Sequence, residues 1–297
     1  MPNSKKTVFR GAATALITPF KDGGVDYASL ERILEFQIEN GIDALVICGT
    51  TGEPATLDDD EHRRVLDFCI SKVAHRVPVI AGTGSNCTQY AKELTLFAKR
   101  AGADAALLVT PYYNKCSQAG IVKHFNEIAD CCDLPCILYN VPSRTGFCIS
   151  ADSYKQLAKH PNIVAAKEAS GHIPLMLELL AECRDDLDVY SGDDHLLVPL
   201  MSMGAIGVIS VLSNVIPAET AQMAKLCLEG KTKEAAEMQL KYHRLMNAMF
   251  TQVNPIPVKT AMSMLGWCKN EFRMPLCPME EPENAKLASV LAEYGLM

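Results

Sequence analysis

IVAAKE, residues 163–168, is a short apolar run that closes on a lysine and a glutamate. Its composition reads as a strand buried on both faces rather than one with a wet side. Seven further runs of the same kind accompany it: AATALI (12–17), DALVICG (43–49), PVIAGT (78–83), AALLVT (105–110), PCILYN (135–140), LDVYSG (187–192) and AIGVIS (205–210). They recur roughly every 25 to 35 residues, each followed by a stretch of helical periodicity, which is the grammar of βα units. DYASLERILEFQIENG (26–41) shows that grammar, with Asp26 expected as N-cap and Gly41 as the stop beyond the C-terminus. TQYAKELTLFAKRAG (88–102) repeats it, opened by Thr88 and closed by Gly102.

Eight parallel βα units in about 230 residues is the arithmetic of a closed (β/α)8 barrel. Periodicity alone also allows a doubly wound open sheet. Against that alternative, TPFKDGGVD after the first run is no GxGxxG turn, and AGTGSN (81–86) has only the first two glycines of one. Beyond residue 228 the strand signals stop and helical patterns follow at 231–252, 256–266 and 282–294. Pro255 and Pro257 open the middle helix, and Pro275, Pro278 and Pro282 punctuate the last connection. The expected fold is α/β, a (β/α)8 TIM barrel with a C-terminal helical appendage: a catalytic barrel over 1–228 and a helical domain over 229–297.

Among 297 residues, 28 Lys and Arg against 35 Asp and Glu leave a net charge of −7, with no basic run to follow a phosphate backbone. Nucleic acid is therefore not an expected partner. The stretch MPNSKKTVFRGAA lacks the apolar core of a secretory leader, and no run approaches a membrane span, so the expected location is cytoplasmic with no membrane contact. Twelve cysteines are scattered without a CxxC pair, and seven histidines show neither HxH nor HExxH. They read as structural thiols in a reducing compartment, with no metal site and no cofactor expected.

Chemistry concentrates at the ends of the runs. A lysine at the end of a buried strand, Lys167, either emerges into water or pays for burial by giving up its proton. A neutral amine in a dry cleft is a nucleophile toward carbonyl carbon. In a barrel, strand-ending residues converge on the C-terminal face, which gathers GTTGE (49–53), TPYYN (110–114), YNVPSRTG (139–146), KEASG (167–171), SGDD (191–194) and GVIS (207–210). Thr50 and Thr51 offer hydroxyls and backbone N–H groups suited to a small carboxylate, and Tyr113 and Tyr139 are candidate proton carriers. Asp193 and Asp194 precede a helix and are expected to cap it.

GTTGE, YNVPSRTG and KEASG, in this order and spanning essentially the whole chain, resemble the dihydrodipicolinate synthase branch of the pyruvate-dependent class I aldolase and lyase superfamily. The resemblance implies a (β/α)8 barrel with a C-terminal helical part and, residue by residue, a set of roles. Lys167 would form an imine with pyruvate, whose enamine attacks L-aspartate 4-semialdehyde. Thr50, Tyr139 and Tyr113 would relay protons, with Tyr113 entering from a neighbouring subunit. Thr51 would hold the pyruvate carboxylate and Arg144 the semialdehyde carboxylate, while Gly192 and Ile209 would stand beside the site. A homotetramer built as a dimer of dimers is implied.

Sibling aldolases acting on sialic acid or ketodeoxygluconate resemble the chain in the lysine and tyrosine but generally lack an arginine at position 144. A silent carboxylate-sensing barrel is the alternative of another class. Lysine-inhibited members share His62, Asn86 and Tyr112 with this chain, but Pro54, Asp59 and Tyr90 replace their usual serine, histidine and glutamate. Weak or absent lysine feedback is expected.

Overall fold

All six residues of Ile163–Glu168 are buried, Lys167 and Glu168 included. This strand is the sixth of eight in a closed, wholly parallel barrel in the computed structural model, which describes residues 5–297; the MPNS of the N-terminal stretch read above lies outside the described residues. The others are Gly11–Ala15, Ala44–Ile47, Val79–Gly82, Ala105–Val109, Cys136–Asn140, Asp188–Ser191 and Gly207–Ser210. Each strand pairs with its neighbours in chain order, and the first closes the ring by pairing with the eighth, Ala13 against Ile209, as well as with the second, Ala13 against Ala44. The closed barrel excludes the doubly wound alternative.

Several runs overshoot their strands because the chain stays buried past the last ladder bond: Leu16 and Ile17 are almost fully covered though outside the first strand. Leu107, Ile137, Tyr139, Tyr190 and Ile209 belong to the apolar cluster that fills the barrel, so it is a packed core and not a pore. Phe9 joins it, its ring stacked on Tyr190 at 4.2 Å. Helix ends follow the sequence signals. Asp26 accepts a hydrogen bond from the backbone N–H of Ser29, and Gly41 and Gly102 both adopt positive φ past their helices.

One small element escaped the pattern. Within TPFKDGGVD, Phe20–Lys21 pairs antiparallel with Gly24–Val25 around Asp22 and Gly23, both at positive φ. An Asp-Gly pair is the hairpin turn signal.

After the last barrel helix, Pro217–Leu228, come helices Thr232–Ala248, Ile256–Met264 and Glu283–Glu293. Their apolar residues, among them Leu245, Val258, Ala261 and Leu291, join the cluster that packs the barrel helices onto the sheet. The chain at 254–259 is thereby laid across the mouth of the barrel, where it touches the loop after the second strand.

Candidate active site

The barrel register sets Lys167 directly beside Tyr139 of the fifth strand and Tyr190 of the seventh. Lys167 is 5% exposed, and its Nζ lies 4.3 Å from the centroid of the Tyr139 ring. Burial pulls the amine down to about 7; the Asp194 carboxylate works against that and the Arg144 guanidinium adds to it. Near neutral pH a large fraction of the amine is therefore unprotonated and nucleophilic.

The residues around Lys167 leave it one path. A Cβ built on Gly192 would fall 2.8 Å from the Ala169 Cβ and 3.1 Å from Lys167 Cγ and Cε, so the lysine stem runs through space that only glycine leaves open. On the neighbouring position Glu168, wholly buried, accepts from Asn140 Nδ2 at 3.1 Å, from the Tyr154 hydroxyl at 3.2 Å and from the Ser170 N–H at 2.9 Å. This carboxylate ties the ends of the fifth and sixth strands together and holds Lys167 in register.

Asp193 caps the turn at 194–196, accepting from the His195 N–H, as expected. Asp194 does not cap it. The expectation is corrected: Asp194 is 1% exposed and its Oδ2 accepts from the N–H groups of Val211 and Leu212, fastening the loop after the eighth strand. Two adjacent acids before a helix look alike in sequence; the turn rotates the second into the barrel mouth.

Tyr139 is buried, which raises its hydroxyl pKa, while Arg144 and a hydrogen bond with Thr50 pull the other way. Thr50 begins a one-turn 3-10 helix, Thr50–Gly52, that ends on Glu53 at φ 54. A non-glycine residue in the left-handed region costs on the order of 1 kcal/mol or more and persists only when its surroundings enforce it. Here Glu53 is locked by Lys259, Nζ to Oε1 2.7 Å with both side chains fully buried. The Lys259 ammonium also lies 3.9 Å from the Phe20 ring centroid.

Thr51 is buried and its hydroxyl accepts from Asn254 Nδ2 at 3.0 Å. Arg144, on the short helix Pro142–Thr145, donates Nη2 to the Asn254 carbonyl at 2.8 Å. Ile209 sits in the barrel interior on the eighth strand. A cavity of about 540 Å³ opens above, lined by Thr50, Tyr139, Arg144 and Asn254 and reaching toward His62 and Tyr90. Lys167 is not among its lining residues; its amine lies over the face of the Tyr139 ring, which is.

One chain thus brings together Lys167, Tyr139, Thr50, Thr51, Arg144, Gly192 and Ile209. Tyr113 it does not: that residue is 93% exposed at φ 70, in the loop after the fourth strand. Sequence reasoning missed Asn254, Lys259, Glu53 and the inward turn of Asp194. The only signal was the NPIPVK stretch at 254–259, whose prolines register merely as a helix start.

A barrel mouth with a buried amine, flanking hydroxyls and an arginine defines an enzyme of the Schiff-base lyase class. The chain belongs to the Dihydrodipicolinate synthetase family, whose model matches residues 8–294. It is 51% identical over 290 residues to the 4-hydroxy-tetrahydrodipicolinate synthase of Geobacter sulfurreducens, covering 98% of this chain and 100% of that one. Among solved structures, the dihydrodipicolinate synthase of Aquifex aeolicus superposes with a TM-score of 0.96 at 47% identity, over 97% of this chain and 99% of that one. The chloride-inhibited dihydrodipicolinate synthase of Acinetobacter baumannii, complexed with pyruvate, does so with a TM-score of 0.96 at 43% identity, over 98% and 100%.

Proposed function

We propose that this chain condenses pyruvate with L-aspartate 4-semialdehyde through a Schiff base on Lys167, giving 4-hydroxy-tetrahydrodipicolinate, the first committed step of the diaminopimelate and lysine pathway. The observation that carries this reading is the Lys167 amine, buried at the barrel mouth with its pKa pulled down to about 7, beside Tyr139.

The amine adds to the pyruvate carbonyl carbon and water leaves, forming the imine. The methyl group then gives up a proton, and the enamine carbon attacks the semialdehyde carbon, whose oxygen takes up a proton. The semialdehyde's own amine next adds to the imine carbon, closing the six-membered ring and expelling Lys167. Each step moves a proton, the task assigned to Tyr139, Thr50 and, from a neighbouring subunit, Tyr113. Thr51 holds the pyruvate carboxylate and Arg144 the second one, since two acidic substrates around a single amine need two anion anchors. Gly192 and Ile209 shape the wall.

The exposure of Tyr113 supports an assembly in which it reaches a second active site, and the reading includes a homotetramer. Among the described residues no helix is long and apolar enough to cross a membrane; the reading also includes a cytoplasmic location.

Arg144 is what favours this substrate pair over sibling aldolase substrates, because a planar guanidinium recognises a carboxylate. The test is turnover of pyruvate with L-aspartate 4-semialdehyde, beside cleavage assays with N-acetylneuraminate and 2-keto-3-deoxygluconate. Condensation without cleavage is the expected result. Cleavage of either sugar acid in its place would transfer the chain to the sibling activities, and binding without any turnover would make it a sensor.

A further inference from the structure

Two loops at the barrel mouth, those after the second and fifth strands, are held through three contacts by one segment far away in sequence. Asn254 Nδ2 donates to Thr51 across 203 residues, the Asn254 carbonyl accepts from Arg144 across 110, and Lys259 pairs with Glu53 across 206. Asn254 is 8% exposed and lines the cavity, and its Oδ1 is buried without a partner.

The direction of the Thr51 contact matters. A hydroxyl has one proton, and a Thr51 oxygen that accepts from Asn254 keeps that proton for another acceptor. In an anion site the acceptor is a carboxylate oxygen, and a donor aimed before the ligand arrives loses less freedom on binding. The same residue's backbone carbonyl accepts from the Arg144 guanidinium, which lines the cavity.

We propose that Asn254 is a positioning residue joining the two carboxylate anchors: its side chain aims the Thr51 hydroxyl at pyruvate, and its carbonyl seats Arg144 for the second substrate. This rests on the reading of Thr51 and Arg144 given above. Lys259 and Glu53 anchor the segment from which Asn254 projects. The side chain and the carbonyl serve different substrates, so side-chain variants divide the two effects.

The experiment measures half-saturating pyruvate by borohydride trapping, and KM for both substrates by turnover, in wild type, Asn254→Ala, Asn254→Asp, Thr51→Val and the Thr51→Val/Asn254→Ala double variant. In Asn254→Ala the pyruvate KM should rise about tenfold with kcat little changed, as expected when ground-state binding is lost. The semialdehyde KM should stay within about twofold, because the carbonyl remains. Asn254→Asp can only accept, so it turns the Thr51 proton away from pyruvate and sets a like charge beside it. Its pyruvate KM should rise about a hundredfold, more than in the alanine variant. On the Thr51→Val background Asn254→Ala should add almost nothing.

A pyruvate KM within about twofold of wild type in both Asn254 variants would overturn the proposal. So would an aspartate variant that binds pyruvate as well as wild type, or equal losses for both substrates in the alanine variant. A wild-type enzyme that traps no pyruvate would instead sink the functional reading beneath it.

Discussion

Lys167 and Tyr139 face each other across one rung of the barrel, the amine 4.3 Å from the ring centroid. An aromatic face favours the ammonium by about 0.5–2 kcal/mol, and Asp194 favours it too, yet burial wins and holds the pKa at about 7. The attacking form is the neutral amine, so imine formation should fall as pH drops below about 7 and level off above it. Asp194 stabilises the charged form, so Asp194→Asn should move this acid limb to lower pH. Asparagine still offers an oxygen to the N–H groups of Val211 and Leu212. The pH dependence of borohydride trapping with pyruvate checks both statements; a limb that stays fixed or moves upward in the variant contradicts the assignment.

Gly192 leaves the space through which Lys167 passes, and a methyl group there would meet Ala169 Cβ at 2.8 Å. Gly192→Ala should displace the amine and lower kcat/KM about a hundredfold, with a modest effect on the unfolding temperature. Wild-type kinetics in this variant would show that the lysine has another path.

Glu53 and Lys259 form an ion pair with no exposed surface on either side chain. Lys259→Met leaves the buried Glu53 carboxylate without its ion-pair partner and should cost about 3–5 kcal/mol of stability in urea unfolding. Glu53→Gln/Lys259→Met removes the stranded charge and should recover most of that loss. A single variant as stable as wild type would mean that the pair does not hold the GTTGE loop.

Lysine at sub-millimolar concentration should leave activity unchanged. At the position where the resemblance leads one to expect a glutamate in inhibited members, Tyr90 donates its hydroxyl to Asp59 Oδ1 at 2.9 Å, and Asp59 Oδ2 accepts from Arg63 at 2.8 Å. Both Asp59 oxygens are thus already engaged, which weakens that carboxylate as a partner for the ligand's ammonium. Strong inhibition in a steady-state assay at such concentrations contradicts this.

The barrel was legible because a fully covered strand has to be apolar along its whole length, and eight such runs stand out against amphipathic helices. Lys167 was legible for the converse reason, a charge where the pattern demands none. Asn254 and Lys259 were not, since their partners lie more than 200 residues away and a lysine after two prolines looks like any helical lysine. Asp194 was misread because capping preference is local, whereas its partners Val211 and Leu212 belong to the loop after another strand. Tyr113 stays apart from the other site residues in a single chain, so its place in the chemistry rests on assembly.

The central claim is that Lys167 carries the chemistry. Borohydride reduction with pyruvate, followed by peptide mass mapping of wild type and Lys167→Ala, tests it most directly. The account predicts one pyruvyl adduct, on the peptide containing Lys167, and none in the variant. No adduct in wild type, or an adduct on another lysine that survives in Lys167→Ala, would contradict it.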